Sequence, residues 1–151
     1  MLDRLSKISA RIIAMILLVM SVASGAAFAQ TSNVPKVKDQ GEYDLTQAIQ
    51  KEKDPQKQLE LLKQWEQEYP DSDFRGQRSL AMAQADSQIM KGLRVKATVA
   101  EVDAAKNAAI DLLNNIDRYL APENKPIAIS DDQWKRVRQE LEQQSRAVLN
   151  K

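Results

Sequence analysis

Residues 42–74 read EYDLTQAIQKEKDPQKQLELLKQWEQEYPDSDF, and this stretch decides the fold. Tyr43, Leu45 and Ile49, with Ala48 beside them, are the apolar members of a helix predicted over about Glu42–Lys53. Asp54-Pro55 then restarts the chain, because Asp offers an acceptor to the first free amides and Pro has no amide to leave unpaired. A second helix follows from Pro55 to about Tyr69. Leu59, Leu62, Trp65 and Tyr69 recur at steps of three, three and four, which puts them on one face with Leu61 at its edge. Pro70 cannot continue that helix, so Tyr69-Pro70-Asp71-Ser72 is a stop and a turn. Asp71, Ser72 and Asp73 offer caps for a third helix starting near Phe74.

The same grammar continues outward. The third helix has Phe74, Leu80, Ala81, Ala85 and Ile89 as inward candidates, and Gly92 marks a break or kink. A fourth helix is predicted over about Thr98–Leu120, with a stripe of Val102, Ala105, Ala109, Leu112, Leu113, Ile116 and Leu120. Residues 121–126 (APENKP) form a loop. Ser130 and Gln133 make a capping box that opens a last helix ending near Leu149. Its stripe of Trp134, Val137, Leu141 and Val148 is interrupted by Gln144 and Ser145. Ile127-Ala128-Ile129 is too short to count as a strand, so the predicted class is all-α, built of antiparallel helical hairpins.

Ahead of the helices lies a different kind of segment. Arg4, Lys7 and Arg11 lead, an apolar run from Ile12 to Val22 follows, and small residues end in Ala27-Phe28-Ala29. That order of charge, apolar run and A-x-A defines a cleavable signal peptide over residues 1–29, cut between Ala29 and Gln30. The run is short against the roughly 20 apolar residues of a membrane span. The competing reading is an uncleaved anchor in which Ala23–Ala29 completes the span. The signal peptide implies a periplasmic or secreted protein that meets the membrane only before cleavage. Residues 30–41 (QTSNVPKVKDQG) are polar and aperiodic and read as a flexible linker, leaving 42–151 as the helical domain.

Composition excludes several functions. Three of the 22 basic and one of the 21 acidic residues lie in the signal, leaving 19 against 20. A near-neutral chain with interspersed signs carries no electrostatic footprint for nucleic acid. Even Lys135, Arg136 and Arg138 are followed by Glu140 and Glu142, as on a solvated helix face. With no Cys there are no disulfides and no lipid-anchored N-terminus. With no His either, imidazole and thiolate metal sites and the Ser-His-Asp and Cys-His forms of catalysis are ruled out. The four glycines stand singly, so there is no glycine-rich phosphate cradle. No catalytic, metal or cofactor site is predicted.

The 34-residue tetratricopeptide pattern can be laid on residues 42–74. Its first-helix anchors fall on Glu42, Leu45, Thr46 and Ile49; its second-helix anchors on Gln58, Leu62, Trp65 and Pro70. Leu45, Ile49, Leu62 and Pro70 fit, while Glu42 replaces the expected Trp, Thr46 the Gly and Gln58 the Ala. The stretch as a whole, closing on Tyr-Pro-x-Ser, resembles tetratricopeptide-like proteins of bacterial envelopes. The resemblance implies a right-handed stack of helical hairpins that binds proteins or peptides, with Leu45, Ile49, Leu62, Trp65, Tyr69, Pro70 and Phe74 as repeat-core anchors. A fainter second unit repeats the spacing at Ala109, Leu113 and Ile116. It ends at Pro122, 52 residues after Pro70, so it needs longer helices or an insertion around residues 92–100.

The predicted function is therefore a non-catalytic protein- or peptide-binding module. Candidate groove positions are Asp44, Gln47, Gln77 and Gln84, and Trp134 is the candidate exposed partner contact. The alternative is a self-associating, chaperone-like helical protein. A third possibility is the front part of a longer repeat protein, because solenoids usually need about three repeats. Glu68, Asp71 and Asp73 could together offer oxygens to a hard cation, but turn and capping roles explain them better. Asp131 and Asp132 are neighbours on a helix and point apart, which disfavours a paired-carboxylate site.

Overall fold

The computed structural model describes residues 35–150. Residues 37–151 form one compact unit by themselves. The predicted signal peptide and the first part of the predicted linker lie outside the described residues. Among the described residues the protein is all-α. Five helices follow one another: Gln40–Lys51 (α1), Pro55–Glu68 (α2), Arg75–Lys91 (α3), Val99–Tyr119 (α4) and Asp131–Leu149 (α5). A short 3-10 turn, Pro122–Asn124, lies between α4 and α5. No described helix is long and apolar enough to cross a membrane.

Local chemistry sets four of the five helix starts. Asp54 accepts from the Gln56 and Lys57 amides at 2.8 and 3.4 Å, with Pro55 in the first turn. Ser130 and Gln133 form the predicted capping box, and Thr98 forms a second one with Glu101. Asp39 caps α1 through the Glu42 amide at 2.9 Å. The last of these corrects the linker boundary: α1 begins at Gln40, and residues 38–41 belong to the folded unit. Helix α3 is the exception. Phe74 holds its N-cap position and no side chain caps it. Ser72, expected to cap that helix, is buried and accepts the Phe74 amide at 3.1 Å instead, while Asp71 and Asp73 are exposed. Gly92 ends α3 as its C-cap.

Each helix packs on the next in sequence, and α3 also packs on α5 and on the 3-10 turn. Helix α3 is therefore central, and it is buried around much of its circumference: Leu80, Met82, Ala83, Ala85 and Met90, but also Arg78, Ser79, Asp86 and Ser87. The expected Phe74, Ala81 and Ile89 are only half-buried. Helix α4 follows its predicted stripe closely, with Ala105, Ala109, Leu112, Ile116 and Leu120 buried and Val102 and Leu113 half-buried. At 21 residues against 14 for α2, it accounts for part of the extra spacing between Pro70 and Pro122.

Two faces differ from expectation. On α1 the buried residues are Glu42, Thr46 and Ile49; Tyr43 and Ala48 are exposed and Leu45 is half-buried. Thr46 tolerates burial because its hydroxyl donates to the Tyr43 carbonyl at 2.8 Å. On α5 the residues that break the apolar stripe pack together with Val148, while Trp134, Val137 and Leu141 are half-buried. Ser145 is fully buried and donates to the Leu141 carbonyl at 2.9 Å. Gln144 accepts from the Ser87 hydroxyl at 2.9 Å and returns a bond to the Ser87 carbonyl at 2.9 Å, which fixes α5 on α3. Replacing either Ser87 or Gln144 by Ala should lose about 1 kcal/mol in urea unfolding. A double-mutant cycle should show the two losses to be non-additive, as for any directly bonded pair.

Candidate functional site

Among the described residues, three polar clusters with a buried member lie between the helices, and none is visible as a sequence motif. The first ties α1, α2 and α3 together around Trp65, which is 2% exposed. The indole N–H donates to the Glu42 carboxylate at 2.9 Å. The other Glu42 oxygen accepts the Lys38 amide at 2.6 Å. Burial pushes the Glu42 carboxyl upward, but hydrogen bonds from Ser72, Lys38 and Trp65 outweigh it and hold the group below its ordinary value. Arg78 covers the indole face at 5.4 Å from the ring centroid and donates to the carbonyls of Trp65 and Tyr69 at 3.2 and 2.8 Å. Those carbonyls sit at the end of α2, where a cation is favoured by the helix dipole. Phe74 closes the edge, its ring tilted 42° to the indole at 6.5 Å.

Beside this cluster, Tyr69 donates to Asp39 at 2.9 Å, so the α1 cap also holds the C-cap of α2. Gly41 makes that contact possible. A Cβ there would lie 2.5 Å from the Tyr69 hydroxyl. Gly41→Ala should therefore break the Tyr69–Asp39 bond and lower stability by about 1 kcal/mol, although alanine favours the helix intrinsically. A rise in stability, the outcome propensity alone would give, would show that Tyr69 gives way without loss.

The second cluster lies between α2, α3 and α4. Asp111 accepts from Lys63 at 3.3 Å, from the Asn115 amide at 3.1 Å and from the Tyr119 hydroxyl at 3.3 Å. Asp86 is fully buried nearby, and neither of its carboxylate oxygens has a hydrogen-bond partner. Burial first, and the Asp111 charge second, push its pKa up to about 8, against a lowering effect of Lys63. Burial likewise raises Tyr119, with Asp111 and Asp86 adding to it. The third cluster is the Ser87–Gln144 pair. All three clusters lie at helix–helix contacts.

The sequence-predicted anchors divide by burial. Ile49, Leu62 and Trp65 are buried; Leu45, Tyr69 and Phe74 are half-buried; Pro70 is exposed. Pro70 is thus no core anchor: it acts through the backbone, ending α2. Of the groove candidates, Asp44 and Gln77 are exposed and Gln47 and Gln84 half-buried. Asp44 accepts from Gln40 at 2.7 Å. Helix α1 packs chiefly on α2, so Asp44 and Gln47 lie on a helix that is not a main neighbour of the one carrying Gln77 and Gln84. Trp134 is half-buried and donates to the Leu120 carbonyl at 3.2 Å, which ties α5 to the end of α4. Glu68, Asp71 and Asp73 are all exposed, and the described residues hold no grouping of three or more carboxylates suited to a metal ion. Asp131 pairs with Lys125 at 2.6 Å.

Sequence reading missed Glu42 and Asp86, and each had a signal. The repeat template placed position 42 inward. Met82, Asp86 and Met90 stand four apart, which puts Asp86 on an apolar helix line. The outward side of α1 carries Tyr43, 47% exposed, in line with Gln40, Gln47 and Gln50 at helical spacing. With the folded architecture and these clusters in view, the described residues form an all-α protein with buried polar groups at its helix–helix contacts. Compared with known proteins, the chain matches no family model, no curated protein and no solved structure.

Proposed function

We propose that this chain is a non-catalytic, tetratricopeptide-like module of helical hairpins that binds a protein or peptide in the periplasm, exported by the signal peptide of residues 1–29. One observation carries the reading. Of the template's eight anchor positions on residues 42–74, five (42, 46, 49, 62 and 65) are buried, although two of these hold Glu and Thr, while 45 and 58 are half-buried and 70 is exposed. Hydropathy alone would not turn Glu42 and Thr46 inward, and their burial supports the template reading. Sequential helix packing, with α3 also touching α5, supports a stacked arrangement. The binding contact falls on the exposed side of α1, around Tyr43, Asp44 and Gln47. Aromatic side chains open to solvent are the usual energetic anchors of interfaces.

The test is a photo-crosslinking amino acid placed at Tyr43 or Gln77 in cells, with Ala147, exposed on α5, as the comparison site. A discrete adduct with another protein at Tyr43, absent at Ala147, supports the reading. An adduct only with a second copy of this chain would replace it by the self-associating alternative. No adduct at either groove site would overturn it.

A further inference from the structure

Residues 92–98 join α3 to α4, and the tip of this connection is unusual for a turn. The Arg94 carbonyl accepts the Ala97 amide at 3.1 Å, which places Val95 and Lys96 at the two central positions of a β-turn. Such positions favour Gly, Pro, Asn, Asp and Ser for conformational reasons, and a β-branched residue gains nothing there. Val95 is 105% exposed and Val99, the first residue of α4, 78%. Lys91, Arg94 and Lys96 are exposed around them, and residues 91–99 contain no acid. The first acids beyond are Glu101 and Asp103. Glu101 is committed to the capping box with Thr98, at 2.7 Å from its amide, and Arg94 lies close enough to help hold its carboxyl below the ordinary value.

We propose that this tip docks on an anionic lipid surface, with Val95 and Val99 entering the headgroup layer and Lys91, Arg94 and Lys96 meeting lipid phosphates. The size of the patch favours lipid over protein. A stable protein interface takes roughly 20–30 residues from each partner. The five residues of this patch are far fewer, whereas apolar and basic side chains together on one turn suit the surface of an anionic bilayer. Charge adds to this, since each cation near an anionic leaflet strengthens binding about five-fold. The resulting attachment is weak and reversible, and it is independent of whatever binds on α1.

The test uses residues 30–151, which include the compact unit of residues 37–151 and the buried residues described from Glu42 to Val148. Sedimentation with vesicles of phosphatidylethanolamine and phosphatidylglycerol (about 7:3) should carry the protein down at low salt. Pure phosphatidylcholine should carry down at least about ten-fold less, and about 0.5 M salt should release it. V95D/K96E should weaken binding by about a hundred-fold. Ile127→Asp, an equally exposed site beyond the other end of α4, should change nothing. Both variants keep every buried residue, and circular dichroism checks their folding. Failure of the wild type to bind phosphatidylglycerol vesicles would falsify the proposal. So would equal binding by V95D/K96E, or equal binding to neutral lipid. Capture of an acidic protein without vesicle binding would reassign the tip to a protein partner.

Discussion

Asp86→Asn should make the protein more stable in mild alkali than the wild type, with little difference near pH 4. The Asp86 carboxyl is fully buried, lacks a hydrogen-bond partner, and has its pKa raised to about 8 from 3.8. In the unfolded chain it ionises at the lower value; in the folded chain it stays protonated until the higher one. The folded state therefore holds the extra proton between these limits. Its stabilising contribution is fully present below about pH 4, falls by up to about 1.4 kcal/mol per pH unit, and is gone once the pH has passed about 8. The total is of the order of a few kcal/mol, a large share of the ~5–15 kcal/mol typical of a domain. The charges facing Asp86 are Lys63 from α2 and Asp111 from α4, with the Tyr119 hydroxyl also on α4. Asparagine keeps the shape and removes the titration. Urea unfolding at pH 4, 7 and 9 should give a falling series for the wild type and a much flatter one for the variant. Parallel series would show that Asp86 ionises in the folded state without loss, through water or through a shift of Lys63 from Asp111.

Trp65→Ala should be the most damaging single substitution in the first two helices, at about 3–5 kcal/mol. The indole fills the junction of α1, α2 and α3, so its removal leaves a cavity lined by Phe74 and the Arg78 guanidinium. It also withdraws the donor to Glu42, a fully buried carboxylate, and an unsatisfied buried acceptor adds about 1–3 kcal/mol. Trp65→Phe separates the two contributions, since it retains most of the apolar volume and loses only the N–H. It should cost about 1–3 kcal/mol, and Glu42→Gln on that background should recover part of it by discharging a buried carboxylate that has lost one of its three donors. Trp134→Ala gives the contrast. That indole is half-buried and its one hydrogen bond reaches the Leu120 carbonyl, so a loss of about 1–2 kcal/mol is expected. Thermal melts of the two alanine variants side by side decide the matter. Equal losses would mean that the α1–α3 junction contributes no more than the surface packing of α5.

Much of the architecture was legible in the sequence because the signals that start and stop helices are local. Asp54-Pro55, Ser130 with Gln133, Pro70 and Gly92 act within a turn of their own positions, and all four marked helix ends correctly. Thr98–Glu101 carries the same signature and sharpens the start of α4. The stripes of α2 and α4 were legible for a related reason. Each helix has a polar outer side, so helical spacing separates its faces.

The inner faces of α1, α3 and α5 were another matter, and so was the candidate site built from them. Hydropathy sends Glu42, Thr46, Arg78, Asp86, Gln144 and Ser145 outward. The fold buries or half-buries all six, and partners remote in sequence admit several of them. Trp65 lies 23 residues from Glu42, and Gln144 lies 57 from Ser87. A polar side chain can be buried when its hydrogen bonds are supplied, and only tertiary packing supplies them across such separations. Asp86, which receives none, is held in place by the apolar residues on either side of it along α3. The sequence by itself determined that this chain makes helices and where most of them begin and end. The tertiary structure decided which side of each helix faces in, because that depends on which distant group arrives to satisfy it.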